Sequence, residues 1–64
     1  MDQLENAARR GQRVALSRRG TEYVVVAIRV TSEAGHDVLV GRLPMTGEEL
    51  TFRLGQIDSF QVVG

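Results

Sequence analysis

The sequence predicts a mainly β domain, a small five-stranded SH3-like or Sm-like barrel with a short N-terminal helix. The chain has 64 residues, which is room for one domain. From Arg13 onward, apolar residues recur with a period of two, as in half-buried strands. The seven glycines and the single proline fall mostly at breaks between these runs. We therefore expect a single domain over 1–64, with a helix at about 2–10 and the barrel at about 13–63. Closure into a barrel is expected because it removes the exposed edges of the sheet.

The helix is predicted by its termini and by one apolar stripe. Asp2 followed by Glu5 resembles a capping box, and Gly11 is placed to end the helix in a left-handed conformation. Leu4 is the one sizeable apolar residue of the stripe. A helix of this length is marginal alone, so it is expected to dock on the sheet.

The first hairpin is predicted to join strands at 13–17 and 22–31 through a turn at 18–21. Its second strand is apolar on both faces, as expected of a long strand that bends across a barrel. Two registers are open. A two-residue loop pairs Val14 with Val25, whereas a three-residue loop pairs Val14 with Val26, which exposes the opposite face. We favour the three-residue loop, with Gly20 in the left-handed position of a bulge.

The rest of the chain predicts a second hairpin and a fifth strand. The elements are a loop at 32–36, a strand at 37–43, a connection at 44–47, a strand at 48–54, a tight turn at 54–58 and a strand at 59–63. A four-residue connection pairs Leu39 with Phe52 and Arg42 with Glu49, so apolar residues meet and opposite charges meet. Gly41 lies inside a strand and predicts a bend there.

Composition excludes several classes of site. The chain has no cysteine and one histidine, so neither a disulfide framework nor a Cys/His zinc site is available. His36 stands beside Asp37, but no nucleophile with an evident base accompanies them. No apolar run approaches a membrane span, and the polar N-terminus is unlike a signal peptide. We therefore expect a cytoplasmic protein that is not an enzyme and uses no cofactor.

The arginines are the best candidates for function. All eight basic residues are arginine, against eight acidic residues, for a net charge of zero. The planar guanidinium group suits phosphates and bases, and small barrels combine it with stacking aromatics. Of the aromatic residues, Phe52 and Phe60 are expected in the core, whereas Tyr23 could serve as a stacking platform. The predicted nucleic-acid-binding residues are Arg42 and Arg53, with support from Arg13, Arg18 and Arg19.

Two segments resemble the WYL domain, an Sm-like barrel of bacterial transcription regulators. Residues 46–60 read TGEELTFRLGQIDSF and are similar to the "gE.r.FrldRI.sv" run that often closes that family. Residues 4–14 resemble its opening helix and first strand. The resemblance implies a nucleic-acid or nucleotide ligand, with Arg53 at the arginine of the "FrldRI" run and Arg42 on the neighbouring strand.

The chain departs from that family at its naming residues. Residues 37–39 read Asp-Val-Leu in place of Trp-Tyr-Leu, and residues 55–56 read Gly-Gln in place of Asp-Arg. Residues 52–60 are also similar to the ending of small Sm-like inhibitors of the termination factor Rho, which bind a protein. The expected partner is thus a nucleic acid or nucleotide in transcription regulation. The alternative is a protein partner or a homo-oligomer, and no membrane is expected.

Overall fold

The computed structural model describes residues 2–64, with side chains from Gln3 onward. The elements are helix α1 (Asp2–Arg10), strands β1 (Arg13–Arg18), β2 (Thr21–Glu33), β3 (His36–Arg42) and β4 (Glu49–Arg53), a 3₁₀ turn (Leu54–Gln56) and strand β5 (Ile57–Val62). This confirms the prediction of a mainly β domain with a short N-terminal helix. The predicted capping contact of the Asp2 side chain lies outside the described residues. At nine residues α1 is too short to cross a membrane, and residues 2–64 contain no longer helix.

The five strands form one antiparallel sheet in the order β4-β3-β2-β1-β5. Because β5 pairs only with β1, and β4 only with β3, these two strands are the edges of the sheet. The predicted closure into a barrel is therefore not present in the strand pairing of residues 2–64. Only the three residues of the 3₁₀ turn separate the end of β4 from the start of β5, which is too short a connection to cross a flat five-stranded sheet. The sheet therefore curls so that β5 can pair with β1 at the other edge.

The first hairpin has a two-residue turn, so the favoured three-residue loop is wrong. Val14 pairs with Val25. Arg19 has φ 52° and Gly20 has φ 77°, and positive values at both central residues are those of a type I′ turn, whose twist matches that of the strands. This register buries Val25 completely and leaves Val24 48% exposed.

A bulge in β2 changes which face its later residues occupy. Ala27 pairs with Gly41 and Arg29 pairs with Val40, so Ile28 is an extra residue in the ladder. Without it, Arg29 would share a face with Ala27 and Val25. With it, Arg29 turns to the opposite face, and Val30 packs on the core.

Gly41 belongs to a close approach between strands. A Cβ at this position would lie 2.6 Å from Cγ2 of Val25, which is shorter than any real contact of that kind. The backbone irregularity sits next to it, in β2, and not in β3 as the predicted bend at Gly41 implied.

The second hairpin confirms its predicted register. Leu39 pairs with Phe52 and Arg42 with Glu49. Other bounds differ from the predictions: β2 is longer than predicted, β3 and β5 begin earlier and end one residue earlier, and β4 is one residue shorter at each end. The predicted loop at 32–36 is only a two-residue turn at Ala34-Gly35, again with positive φ at both residues. β5 begins at Ile57, directly after the 3₁₀ turn.

One face of the sheet, the core face, packs under α1 and around the turn after β4. The buried core consists of Leu4, Ala7, Val14, Leu16, Val25, Ala27, Leu39, Phe52 and Leu54. The backbone of Gln12 ties the helix to the sheet: its N–H donates to Ala7 O and its carbonyl accepts from Ala27 N, both at 2.9 Å. No buried polar or charged residue interrupts this core within the described side chains. We call the opposite side of the sheet the outer face.

Candidate nucleic-acid interface

Three of the five predicted arginines lie on the outer face. Arg13, at the start of β1, pairs with Val26, which pairs in turn with Arg42. Arg42 and Arg13 thus stand in one cross-strand row, two strand spacings or roughly 10 Å apart. Arg53 is on β4 opposite Val38, four positions along β3 from Arg42. At about 3.4 Å per residue, this places Arg42 and Arg53 roughly 14 Å apart, which is too far to hold one phosphate jointly.

Arg29 joins the same face and was missed in the sequence. It pairs with Val40, between the rows of Arg42 and Arg53, and its side chain is exposed. The period of two groups it with Val25 and Ala27, which the structure buries, and only the bulge at Ile28 turns it to the outer face. In the sequence, the one sign of this is that a charged residue, Arg29, follows a long run of apolar residues. The outer face therefore presents four arginines on four different strands: Arg13, Arg29, Arg42 and Arg53.

Two valines lie among these arginines. Val38 is 2% exposed and Val40 is 4% exposed, although both point away from the core face and neither belongs to the core cluster. Their neighbours in register are Thr31 and Arg53 for Val38, and Arg29 with a threonine of β4 for Val40. Long arginine side chains cover apolar neighbours with their methylene groups while the charged heads stay in water. Methylene groups of Arg29 lying over Val40, and those of Arg53 lying over Val38, would explain why the two valines are buried.

One acidic residue of the described side chains is paired with an arginine of this set. Glu49 accepts a hydrogen bond from Nη2 of Arg42 at 3.1 Å, and both side chains are about half exposed. Within residues 3–64 this is the one ion pair, so Arg13, Arg29 and Arg53 have no carboxylate within salt-bridge distance. Three of the four outer-face arginines are thus available to a ligand without breaking an existing pair.

Arg18 has a different role. It lies at the core-face end of β1, where its guanidinium carbon is 5.0 Å from the ring centroid of Phe52 and 5.3 Å from that of Tyr23. Its Nη2 also donates to the hydroxyl oxygen of Tyr23 at 3.3 Å. The two rings meet edge to face at 5.2 Å. This arrangement is a cation–π contact that covers the end of the core, typically worth about 0.5–2 kcal/mol.

The remaining predicted residues lie apart from the four arginines. Arg19 is exposed in the first turn, at the far end of the β1–β2 hairpin. Tyr23 and Phe52 pack on the core side below Arg18, and Phe60 is partly buried beside the core. No aromatic side chain of residues 3–64 therefore stands among the outer-face arginines, and the face can offer charge and hydrogen bonds but no stacking platform.

The sequence neighbours His36 and Asp37 do not build a reactive centre. Both are exposed, beside the tip of the β2–β3 hairpin, and neither makes a side-chain hydrogen bond within the described part of the chain. Nor do three or more His, Asp or Glu side chains of the described residues gather closely enough to hold a metal ion.

Comparisons with known proteins find no matching family model, curated protein or solved structure. The resemblance to the WYL domain rests on the quoted residues alone. The outer-face arginines are accordingly judged on their own geometry and chemistry.

Proposed function

We propose that this chain is a small non-catalytic binding module that contacts the sugar-phosphate backbone of a nucleic acid through Arg13, Arg29, Arg42 and Arg53. The observation that carries the proposal is their common placement on the outer face, from four strands, around the buried Val38 and Val40. Arginine forks bind phosphate oxygens in bidentate fashion, and spacings of 10–14 Å suit contacts to separate phosphates. The resemblance to WYL domains supports a role in bacterial transcription regulation.

The mode of recognition follows from what the outer face lacks. With no aromatic residue among the arginines, bases have nothing to stack on, so recognition depends on phosphate contacts that carry little sequence information. A net charge of zero adds no long-range attraction, so binding is expected to be weak and confined to this face. The strand order and the bulged, 13-residue β2 support the SH3-like or Sm-like curvature on which the four arginines would follow a backbone.

The test is a titration of the protein with a short single-stranded oligonucleotide of mixed sequence, at several salt concentrations. Fluorescence anisotropy gives the affinity, and amide chemical shifts locate the site. For single strands, log K falls with log salt by about 0.7 per phosphate contact. R29Q and R53Q are each expected to weaken binding and to reduce the magnitude of this slope by about 0.7.

R10Q is the matched control. Arg10 is exposed at the end of α1, away from the outer face, and its loss changes the total charge by the same amount. If R10Q weakens binding as much as R53Q, or if none of the outer-face substitutions changes the affinity, phosphate binding by this face is wrong.

A second candidate is a protein-interaction or assembly subunit. It is favoured by the open sheet, whose edge strands β4 and β5 have no partner strand within residues 2–64. Salt separates the two functions, because an interface of backbone hydrogen bonds and apolar side chains depends little on salt, whereas phosphate binding weakens steeply.

A further inference from the structure

The outward backbone groups of β5 are unpaired. Val63 N donates to Arg13 O at 2.9 Å, which marks this pair as hydrogen-bonded. Hydrogen-bonded and non-hydrogen-bonded pairs alternate along an antiparallel ladder. Gln61 is therefore bonded to Ala15, while the N–H and C=O groups of Phe60 and Val62 point away from β1. No backbone hydrogen bond outside the β1–β5 ladder reaches Phe60 or Val62 within residues 2–64.

The two edge strands, β4 and β5, differ in how well they are protected against pairing with a strand of another molecule. On β4, Leu43 N donates to Glu48 O, so the same alternation turns the backbone of Glu49, Thr51 and Arg53 outward. Charged side chains at the ends of this edge discourage pairing with another strand. On β5, residues 59–63 read Ser-Phe-Gln-Val-Val, with no charge and no proline. The charge and the bulge of β5 both fall at Asp58, so residues 59–63 are the stretch of this edge that lacks the usual obstacles to strand addition.

A groove lies beside this edge. It runs between α1 and β5 and is lined by Gln3, Asn6, Gln12, Phe60, Gln61 and Val62. Side chains of a strand added to β5 would enter this groove from the core side of the sheet. Its walls carry no charged side chain, so an uncharged strand fits it best.

The strand that fits both the edge and the groove is β5 itself. We propose that two copies of this chain pair antiparallel along β5, about a two-fold axis at Gln61, to form one continuous sheet. In this register Phe60 lies opposite Val62 of the partner subunit, and the reverse, as two hydrogen-bonded pairs that each exchange two N–H···O bonds. An aromatic residue opposite a β-branched one is a favourable cross-strand pair.

The other positions of the register are compatible with this pairing. Gln61 faces Gln61 of the partner subunit on the outer side, where its amide can both donate and accept. Asp58, the extra residue at the bulge of β5, lies outside the stretch 60–62 on which this pairing rests. Such an isologous contact is the commonest form of homodimer. It uses no outer-face arginine, although Arg13 lies on β1, one strand away from the joint.

The first test is a charge exchange at the two-fold axis. Gln61 is exposed in the single chain, so Q61E and Q61R are expected to fold normally. In the dimer each would place like charges directly opposite one another, and we expect a dissociation constant about five-fold higher for each. An equimolar mixture of Q61E and Q61R is expected to restore the dimer, because a carboxylate then faces a guanidinium group. T51R, on the outward-facing part of β4, is the matched control and should leave the dimer unchanged.

Light scattering and amide exchange supply the readouts. The expected mass at millimolar concentration is twice the 7.1 kDa of one chain. The amides of Phe60 and Val62 should become protected as concentration rises, while that of Gln61 is protected throughout. A 7.1 kDa species at every concentration would overturn the proposal. So would an assembly larger than two chains, or a Q61E and Q61R mixture no tighter than either variant alone.

Discussion

Val25 occupies the space that a side chain at position 41 would need. Its Cγ2 lies 2.6 Å from where a Cβ on Gly41 would be, and its side chain is fully buried. The space between β2 and β3 at this point is thus filled by the side chain of Val25, and β3 has a glycine there.

The first prediction concerns this pair. G41A is expected to destabilise the domain by about 1–3 kcal/mol, because the added methyl group overpacks a filled site. In a V25A background the same change should cost much less, since the truncated side chain frees the volume. G55A is the matched control: Gly55 has no heavy atom within 4 Å of its would-be Cβ and no positive φ. Chemical denaturation of the four variants measures the coupling, and equal costs for G41A in both backgrounds would contradict it.

A second prediction concerns the two tight turns. Arg19 and Ala34 both have positive φ, at 52° and 50°, where asparagine is better tolerated than either. R19N and A34N are each expected to raise the free energy of unfolding by a few tenths of a kcal/mol, up to about 1 kcal/mol. Thermal and chemical unfolding measure the gain. G20A, at φ 77°, should do the reverse, and a neutral G20A would argue against the type I′ geometry.

The third prediction separates Arg18, which packs on the core, from the arginines proposed to bind nucleic acid. Because Arg18 lies over Phe52 and Tyr23, R18A is expected to lower the stability by about 1–2 kcal/mol. It should leave oligonucleotide affinity unchanged under conditions where the variant is folded. Y23F removes only the hydroxyl acceptor and should cost less, about 0.5–1.5 kcal/mol. An R18A variant with full stability but weakened binding would place Arg18 among the binding residues instead.

The fourth prediction concerns the ion pair on the outer face. Since Arg42 and Glu49 are both about half exposed, E49Q should change the stability by less than about 1 kcal/mol. It should nevertheless tighten oligonucleotide binding, because it frees the guanidinium group of Arg42 and removes a nearby negative charge. R42Q should weaken binding. The affinities of the two variants at low salt decide this, and changes in the same direction would count against a phosphate site at Arg42.

The two hairpins show what the sequence could and could not specify. In the second, only one register brings apolar residues together and also matches Arg42 with Glu49, so the pairing could be predicted. In the first, β2 is apolar on both faces, so either register satisfies the pattern. The register is therefore decided by the turn. There Arg19 has a positive φ, a conformation that residue propensities assign to glycine or asparagine.

The bulge explains the remaining differences. One extra residue at Ile28 exchanges the two faces of β2, and the charged Arg29 directly after it is the one sign of the change in the sequence. That single sign does not locate the bulge, so the face of Arg29 could not be predicted, whereas those of Arg13, Arg42 and Arg53 follow from strand parity alone. The open sheet was also missed, because edge pairing between β4 and β5 depends on the path of the chain through the 3₁₀ turn and not on composition.

The strand order also has a consequence for how the chain folds. β1, β2, β3 and β4 are sequential neighbours joined by short connections, so each pairing closes a short loop. β5 pairs with β1 across nearly the whole length of the chain, and such distant pairings form late because the loop entropy must be lost first. We expect a four-stranded meander to assemble early and β5 to join it last. The C-terminal strand would then also be the first to detach on unfolding, ahead of the hairpins that carry most of the core.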